Sequence, residues 1–231
     1  MKKTFLLFLF ITQFSFSQKQ WFTTYTDSIA LVKDANNITV SFTKDIKKIS
    51  PKLKFDIKTV LNTTPYLIFF YKDAANIPLW EQVIPEQKQF FYELGGSEAE
   101  GKRIFGLFFN GFYLPHELGH ALEFTLYGQI EGSYQSEYLA NTIAILWWKK
   151  HHRGAELQQC YEAAKKMFAQ LPNPVPEGST IEAFFGKNYE EASQNPYVYG
   201  YLQFKQFIEI YETKDLPDFD AFVDNLIKTK K

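Results

Sequence analysis

The stretch FYLPHELGHALEF, Phe112 to Phe124, constrains the fold more than any other part of the chain. His116 and His120 are four residues apart, so an α-helix places both imidazoles on one face, where they can converge on a single ion. Glu117 lies between them, where it can hold and deprotonate a metal-activated water instead of acting as a ligand. Pro115 fits an early helical position or a kink before it, and neither disturbs the pairing. Gly119 costs helix propensity but allows another segment to pack closely. The ion is read as Zn²⁺, which needs a third protein ligand if a position is to stay open for water. A second segment packed across this helix could supply it.

Four sources of that ligand are in view. Glu123 is one turn beyond His120, but one straight helix seldom wraps three ligands around an ion. Glu131 sits in GQIEGS, which reads as a loop, and His151 and His152 follow WWKK at a helix end. Glu137 is better placed, because it opens the helical run EYLANTIAILWW and a crossing helix would bring its carboxylate to the open side. Oxyanion stabilisation calls for a further donor. NPYVYGYLQFKQF supplies Tyr199 and Tyr201 as the preferred catalytic candidates, with His151, His152 and Arg153 as competitors.

HELGH followed by Glu137-Tyr-Leu-Ala-Asn141 resembles the glutamate-zincin (gluzincin) superfamily, the thermolysin-like and M1-like zinc metallopeptidases. The resemblance covers roughly 30 residues. It implies that His116, His120 and Glu137 ligate zinc and that Glu117 is the general base for hydrolysis of a peptide or protein substrate. Asn141 falls where thermolysin-like enzymes often carry an Asp that supports a ligand histidine. The interval from His120 to Glu137 is slightly shorter than in the M1-like pattern, and no GxMEN-type segment is present. A metzincin continuation fails, because Glu123 and Leu126 occupy its glycine and third-histidine positions. The alternative function is a non-catalytic metal- or peptide-binding exported protein.

The amino-terminal residues have the layout of an export signal over 1–17. Lys2 and Lys3 precede an apolar core from Phe5 to Ile11, and Ser15 and Ser17 supply small side chains before a cut at Gln18. A periplasmic or secreted location follows. A stable transmembrane anchor is not expected, since a membrane span needs about 20 apolar residues. Loss of Lys2 and Lys3 would move the net charge from -1 to -3, and a mildly acidic chain is a poor partner for nucleic acid. The single cysteine, Cys160, excludes an internal disulfide and reads as a packing residue.

Expected elements set the fold class as α+β, a small N-terminal antiparallel sheet followed by a mostly helical zincin-like catalytic region. ITVSF, KLKFDIKTVL and YLIFFY read as strands over roughly 38–71, with LNTTPY as a turn. DSIALVKDA reads as a short helix capped by Asp27, GGSEAEG as a flexible connection, and PNPVPEGS at 172–179 as a break. Residues 18–231 then form a single zincin-like metallopeptidase domain, with an optional mixed α/β lobe at 18–100 and a helical lobe at 101–231.

Overall fold

The computed structural model describes residues 21–230, and the export signal read over 1–17 lies outside them. Asp27 caps the first helix, α1 (Ser28–Ile49), its carboxylate accepting from the Ile29 N–H at 2.9 Å. This helix runs past the expected short segment and absorbs ITVSF, which is not a strand. Leu31, Ala35, Thr39, Phe42 and Ile46 recur every three or four residues and are all buried. That helical stripe outweighs the local β-branched composition.

The sheet is correspondingly smaller and differently connected. Strands β1 (Lys58–Leu61), β2 (Phe69–Tyr71) and β3 (Ala74–Ile77) lie in the order β1-β3-β2. β2 pairs antiparallel with β3, but β1 pairs parallel with it, so the expected antiparallel sheet is mixed. Its central strand, AANI, has weak β propensity, and only its partners on both sides make it a strand. LNTTPY does turn. The Asn62 side chain accepts from the Thr64 N–H at 2.8 Å and donates to the carbonyls of Tyr66 and Leu67.

The two sheet edges are treated differently. Along β1, Asn36 of α1 donates to Thr59 O at 2.9 Å and accepts from Thr59 N at 3.1 Å. The helix thus covers that edge. The β2 edge faces the motif helix, and the Phe70 N–H reaches Glu117.

The remaining described residues are mostly helical. Helices α2 (Pro85–Gly95) and α3 (Glu98–Leu107) are separated at Gly96, which adopts a left-handed φ of 82°. Ser97 caps α3 through the Glu100 N–H, so SEAEG opens a helix where a flexible connection was expected. A widened π-type turn over Phe108–Phe112 leads into α4 (Tyr113–Tyr127), then α5 (Tyr134–Lys150) and α6 (Gly154–Phe168). After the break at 172–179 come α7 (Ile181–Gln194), α8 (Pro196–Glu212) and α9 (Phe219–Thr229). The fold is α+β and mostly helical. One buried cluster joins its front and back: Phe42 of α1 meets Phe55, Trp147 of α5 and Phe219 of α9 at ring separations of 5.7–5.9 Å. Cys160 is buried in that cluster, and its thiol is pushed up by burial. No helix among the described residues is long and apolar enough to cross a membrane.

Candidate metal centre

Pro115 lies in the first turn of the motif helix. Pro115 has no N–H to give to the Gly111 carbonyl one turn back, and a ring at this position crowds that carbonyl. The preceding turn widens, with Asn110 at φ -109° and ψ 25°, and Tyr113 N–H reaches back to Phe108 O. Other residues satisfy the displaced groups. Trp21 Nε1 donates to Gly111 O at 3.1 Å, Phe22 N donates to Asn110 O at 2.9 Å, and Asn110 Nδ2 donates to Pro78 O at 3.0 Å. Pro115 therefore serves both sequence readings, as an early helical residue and as the cause of a kink.

From this start, α4 turns His116 and His120 toward Glu137 of α5, while Glu117 meets the Phe70 N–H of β2. The two helices can approach because residue 119 is glycine. A Cβ there would lie 3.1 Å from Ala140 Cα and 3.4 Å from Ala140 Cβ. Ser133 caps α5 by accepting from the Ser136 N–H, which places Glu137 in the first helical turn. A carboxylate is electrostatically favoured at that end of a helix.

Glu137 Oε2 lies 3.3 Å from His116 Nε2 and 3.6 Å from His120 Nε2. The two imidazole rings are nearly perpendicular, with centroids 4.8 Å apart. His116, His120 and Glu137 form a buried group able to hold a metal ion. The donor set fits zinc. Bonds of about 2.0–2.2 Å at tetrahedral angles separate neighbouring ligand atoms by roughly 3.3–3.6 Å, the spacing from Oε2 to each imidazole.

The outer nitrogens point away from the centre. His116 Nδ1 lies 2.9 Å from Asn141 Oδ1. His120 Nδ1 faces Glu123 Oε2 and Ser136 Oγ, each at 3.4 Å, and Ser136 donates to Glu123 at 2.6 Å. Glu123 thus supports His120 from behind and does not join the ligand set. Glu131 is exposed on its loop, His151 bonds Asp45 of α1 at 2.8 Å, and His152 is exposed. None of these competing residues joins the cluster.

The electrostatics agree with a cation at the centre. Burial raises the Glu137 carboxyl, but His120 and His116 outweigh it and hold Glu137 well below the usual carboxylate range. Burial lowers the His120 imidazole, yet Glu137, Glu123 and Glu117 push it up to about 10. A positive charge between these groups is favoured whether it arrives as a proton or as a metal ion. Glu117 behaves differently: burial raises its carboxyl more than the two imidazoles and the Phe70 N–H lower it. Two buried carboxyls sit side by side, one held ionised and one pushed toward neutrality.

The expected tyrosines separate. Tyr199 lies by the centre, its phenol driven well above its ordinary pKa by burial and then by Glu137. Tyr201 points to α6, its ring 4.8 Å from that of Phe168, and makes no contact with the cluster. Two helical residues two apart point in nearly opposite directions, so only one can serve the site. Tyr189 of α7 is in direct contact, donating to Glu137 Oε1, and Tyr113 of α4 packs edge-on against His116 with ring centroids 5.3 Å apart. The Tyr189 ring passes over Gly132, where a Cβ would come within 2.6 Å. Thr180 as a cap, followed by Ile181, Phe184, Phe185 and Ala192 at helical spacing, was the sequence signal for this helix. Gln203 and Gln206 of α8 also reach the site, and nothing local to YLQFKQF marks them.

Comparison with protein-family models, with curated proteins and with solved structures returns no match for this chain.

Proposed function

We propose that this chain is an exported zinc-dependent peptidase of glutamate-zincin type, with His116, His120 and Glu137 as ligands and Glu117 as general base. The observation that carries the reading is the convergence of Glu137 Oε2 on both Nε2 atoms, with Glu117 buried beside them. Zinc would supply a Lewis acid that polarises a substrate carbonyl and lowers the pKa of a water. Glu117 accepts a proton from the attacking water and returns it to the leaving amine. Its raised pKa suits both steps, because the proton must be held and then released. Tyr199, close to the centre and protonated at any ordinary pH, is the oxyanion donor. Tyr189 holds the carboxylate oxygen that faces away from the imidazoles, leaving Oε2 toward the ion.

A second reading is a non-catalytic zinc-binding protein. It is favoured by burial of the centre, where His116, Glu117, His120 and Glu137 are each 7% exposed or less. One experiment separates the two: zinc content and a broad peptide-cleavage screen for the wild type and Glu117→Gln. The peptidase reading expects one zinc in both proteins and a loss of cleavage of about 10²–10⁴-fold in the variant. Zinc in both with no wild-type cleavage across the screen would leave the second reading standing.

A further inference from the structure

We infer that Gln203 and Gln206 of α8 are positioning residues that lock the Asn141 amide, and that this clamp makes an amide, not a carboxylate, the required partner of His116. The inference rests on the metal reading of the centre and not on its peptidase chemistry.

Hydrogen-bond polarity orients all three amides. Asn141, Gln203 and Gln206 are all buried, so each amide must be matched within the protein. Gln206 Nε2 donates to Tyr134 O at 2.9 Å, and a main-chain carbonyl can only accept. Gln203 Nε2 donates to Glu137 Oε2 at 2.6 Å, and a metal-ligating carboxylate can only accept. Both glutamines must therefore turn their Oε1 atoms toward Asn141. The Asn141 Nδ2 group lies 3.0 Å from each and gives one hydrogen to each. Only Asn141 Oδ1 is left for His116, 2.9 Å from Nδ1. Nδ1 then carries the proton, and Nε2 presents its lone pair toward Glu137. The tautomer of a metal ligand is set by acceptor-only groups at both ends of a three-amide chain.

The resemblance places an aspartate at position 141, where its charge would strengthen the imidazole as a ligand. In this chain the second carboxylate oxygen would face two glutamine oxygens at the present 3.0 Å separations. Neither glutamine can reverse without setting its own oxygen against Glu137 or Tyr134 O. Replacement of one buried donor by an acceptor leaves three acceptors unmatched. Asn141→Asp should therefore weaken the site that a carboxylate would ordinarily improve.

The test is zinc affinity, by chelator competition, for the wild type, Asn141→Asp, Gln206→Met and the double variant, with thermal melting of each metal-free protein. Asn141→Asp should bind zinc about 10–100-fold more weakly than wild type, the range typical of lost support for a ligand. Gln206→Met removes one opposing oxygen at nearly constant volume. The double variant should therefore bind zinc more tightly than Asn141→Asp alone and melt above it, a coupling that additive structural damage does not produce. Equal or tighter zinc binding by Asn141→Asp, or additive losses in the cycle, would overturn the clamp. Absence of zinc from the wild type would instead overturn the metal reading, and the melting cycle would then decide the clamp alone. An Asn141→Asp chain that fails to fold is decided by the double variant: recovery of folding supports the clamp, and continued failure beside a folded Gln206→Met overturns it.

Discussion

Helix α5 carries a histidine–carboxylate cluster at each end, and the two are built on opposite plans. At its C-terminal end, Asp45 of α1 gathers donors. Trp147 Nε1 lies at 3.0 Å, His151 Nε2 at 2.8 Å and Lys150 Nζ at 3.0 Å, and Lys150 also meets Asp220 of α9. All three donors meet Asp45, and Lys150 carries the tie on to Asp220, so that α1, α5 and α9 are joined. At the N-terminal end, Glu137 Oε2 faces two ring nitrogens whose partners on the other side are Asn141, Glu123 and Ser136. Apart from the Gln203 N–H on Glu137 Oε2, these atoms form a group that could hold a cation. One carboxylate collects indole, imidazole and ammonium donors, whereas the other faces two imidazole nitrogens side by side.

That contrast can be broken at the helix contact. Gly119→Ala would press a methyl against Ala140 and move α5 relative to α4. The crowding costs about 1–3 kcal/mol, against roughly 1 kcal/mol regained in helix propensity. Zinc affinity should fall about 10-fold or more as Glu137 leaves the imidazoles, readable by chelator competition. Unchanged affinity would show that the close helix contact does not set the ligand spacing.

The opposite end should respond to acid and not to metal. Asp45 is raised by burial, but its bonds to His151, Lys150 and Trp147 outweigh this and lower its pKa from the ordinary carboxylate value. A group depressed in the folded state stabilises the fold above its unfolded pKa of about 3.9, and that stability is lost as pH falls through the lower folded value. Asp45→Asn should cost about 1–2 kcal/mol at pH 7, with the gap from wild type closing below about pH 4. Urea titrations at pH 7 and pH 3 would measure this, and zinc content should not change.

A smaller effect is expected at Tyr189. Tyr189→Phe removes the donor to Glu137 Oε1, a loss of about 1 kcal/mol that weakens zinc roughly fivefold. If Tyr189 were only packing over Gly132, phenylalanine would leave zinc affinity as it is.

What could be read from the sequence was whatever helical periodicity encodes at short range. His116 and His120 face together because they are four apart, and Asn141 follows Glu137 by the same interval. ITVSF misled because four β-branched or aromatic residues in five look like a strand until the stripe from Leu31 to Ile46 is counted across the whole helix. AANI carried no signal, since its strand identity comes from β1 and β2. Tyr189, Gln203 and Gln206 meet the site across separations of 52 to 66 residues, through the packing of α7 and α8 on α5. No local pattern encodes that packing. Tyr201 was indistinguishable from Tyr199 in sequence, and only the rotation of α8 separates them.

In the proposed metal site, Glu137 completes the ligand set of His116 and His120. Zinc per chain, measured after dialysis against a weak chelator, tests it directly in the wild type, Glu137→Ala and Asp45→Ala. One zinc is expected in the wild type and in Asp45→Ala, and none in Glu137→Ala. Zinc retained by Glu137→Ala, or absent from the wild type, would contradict it.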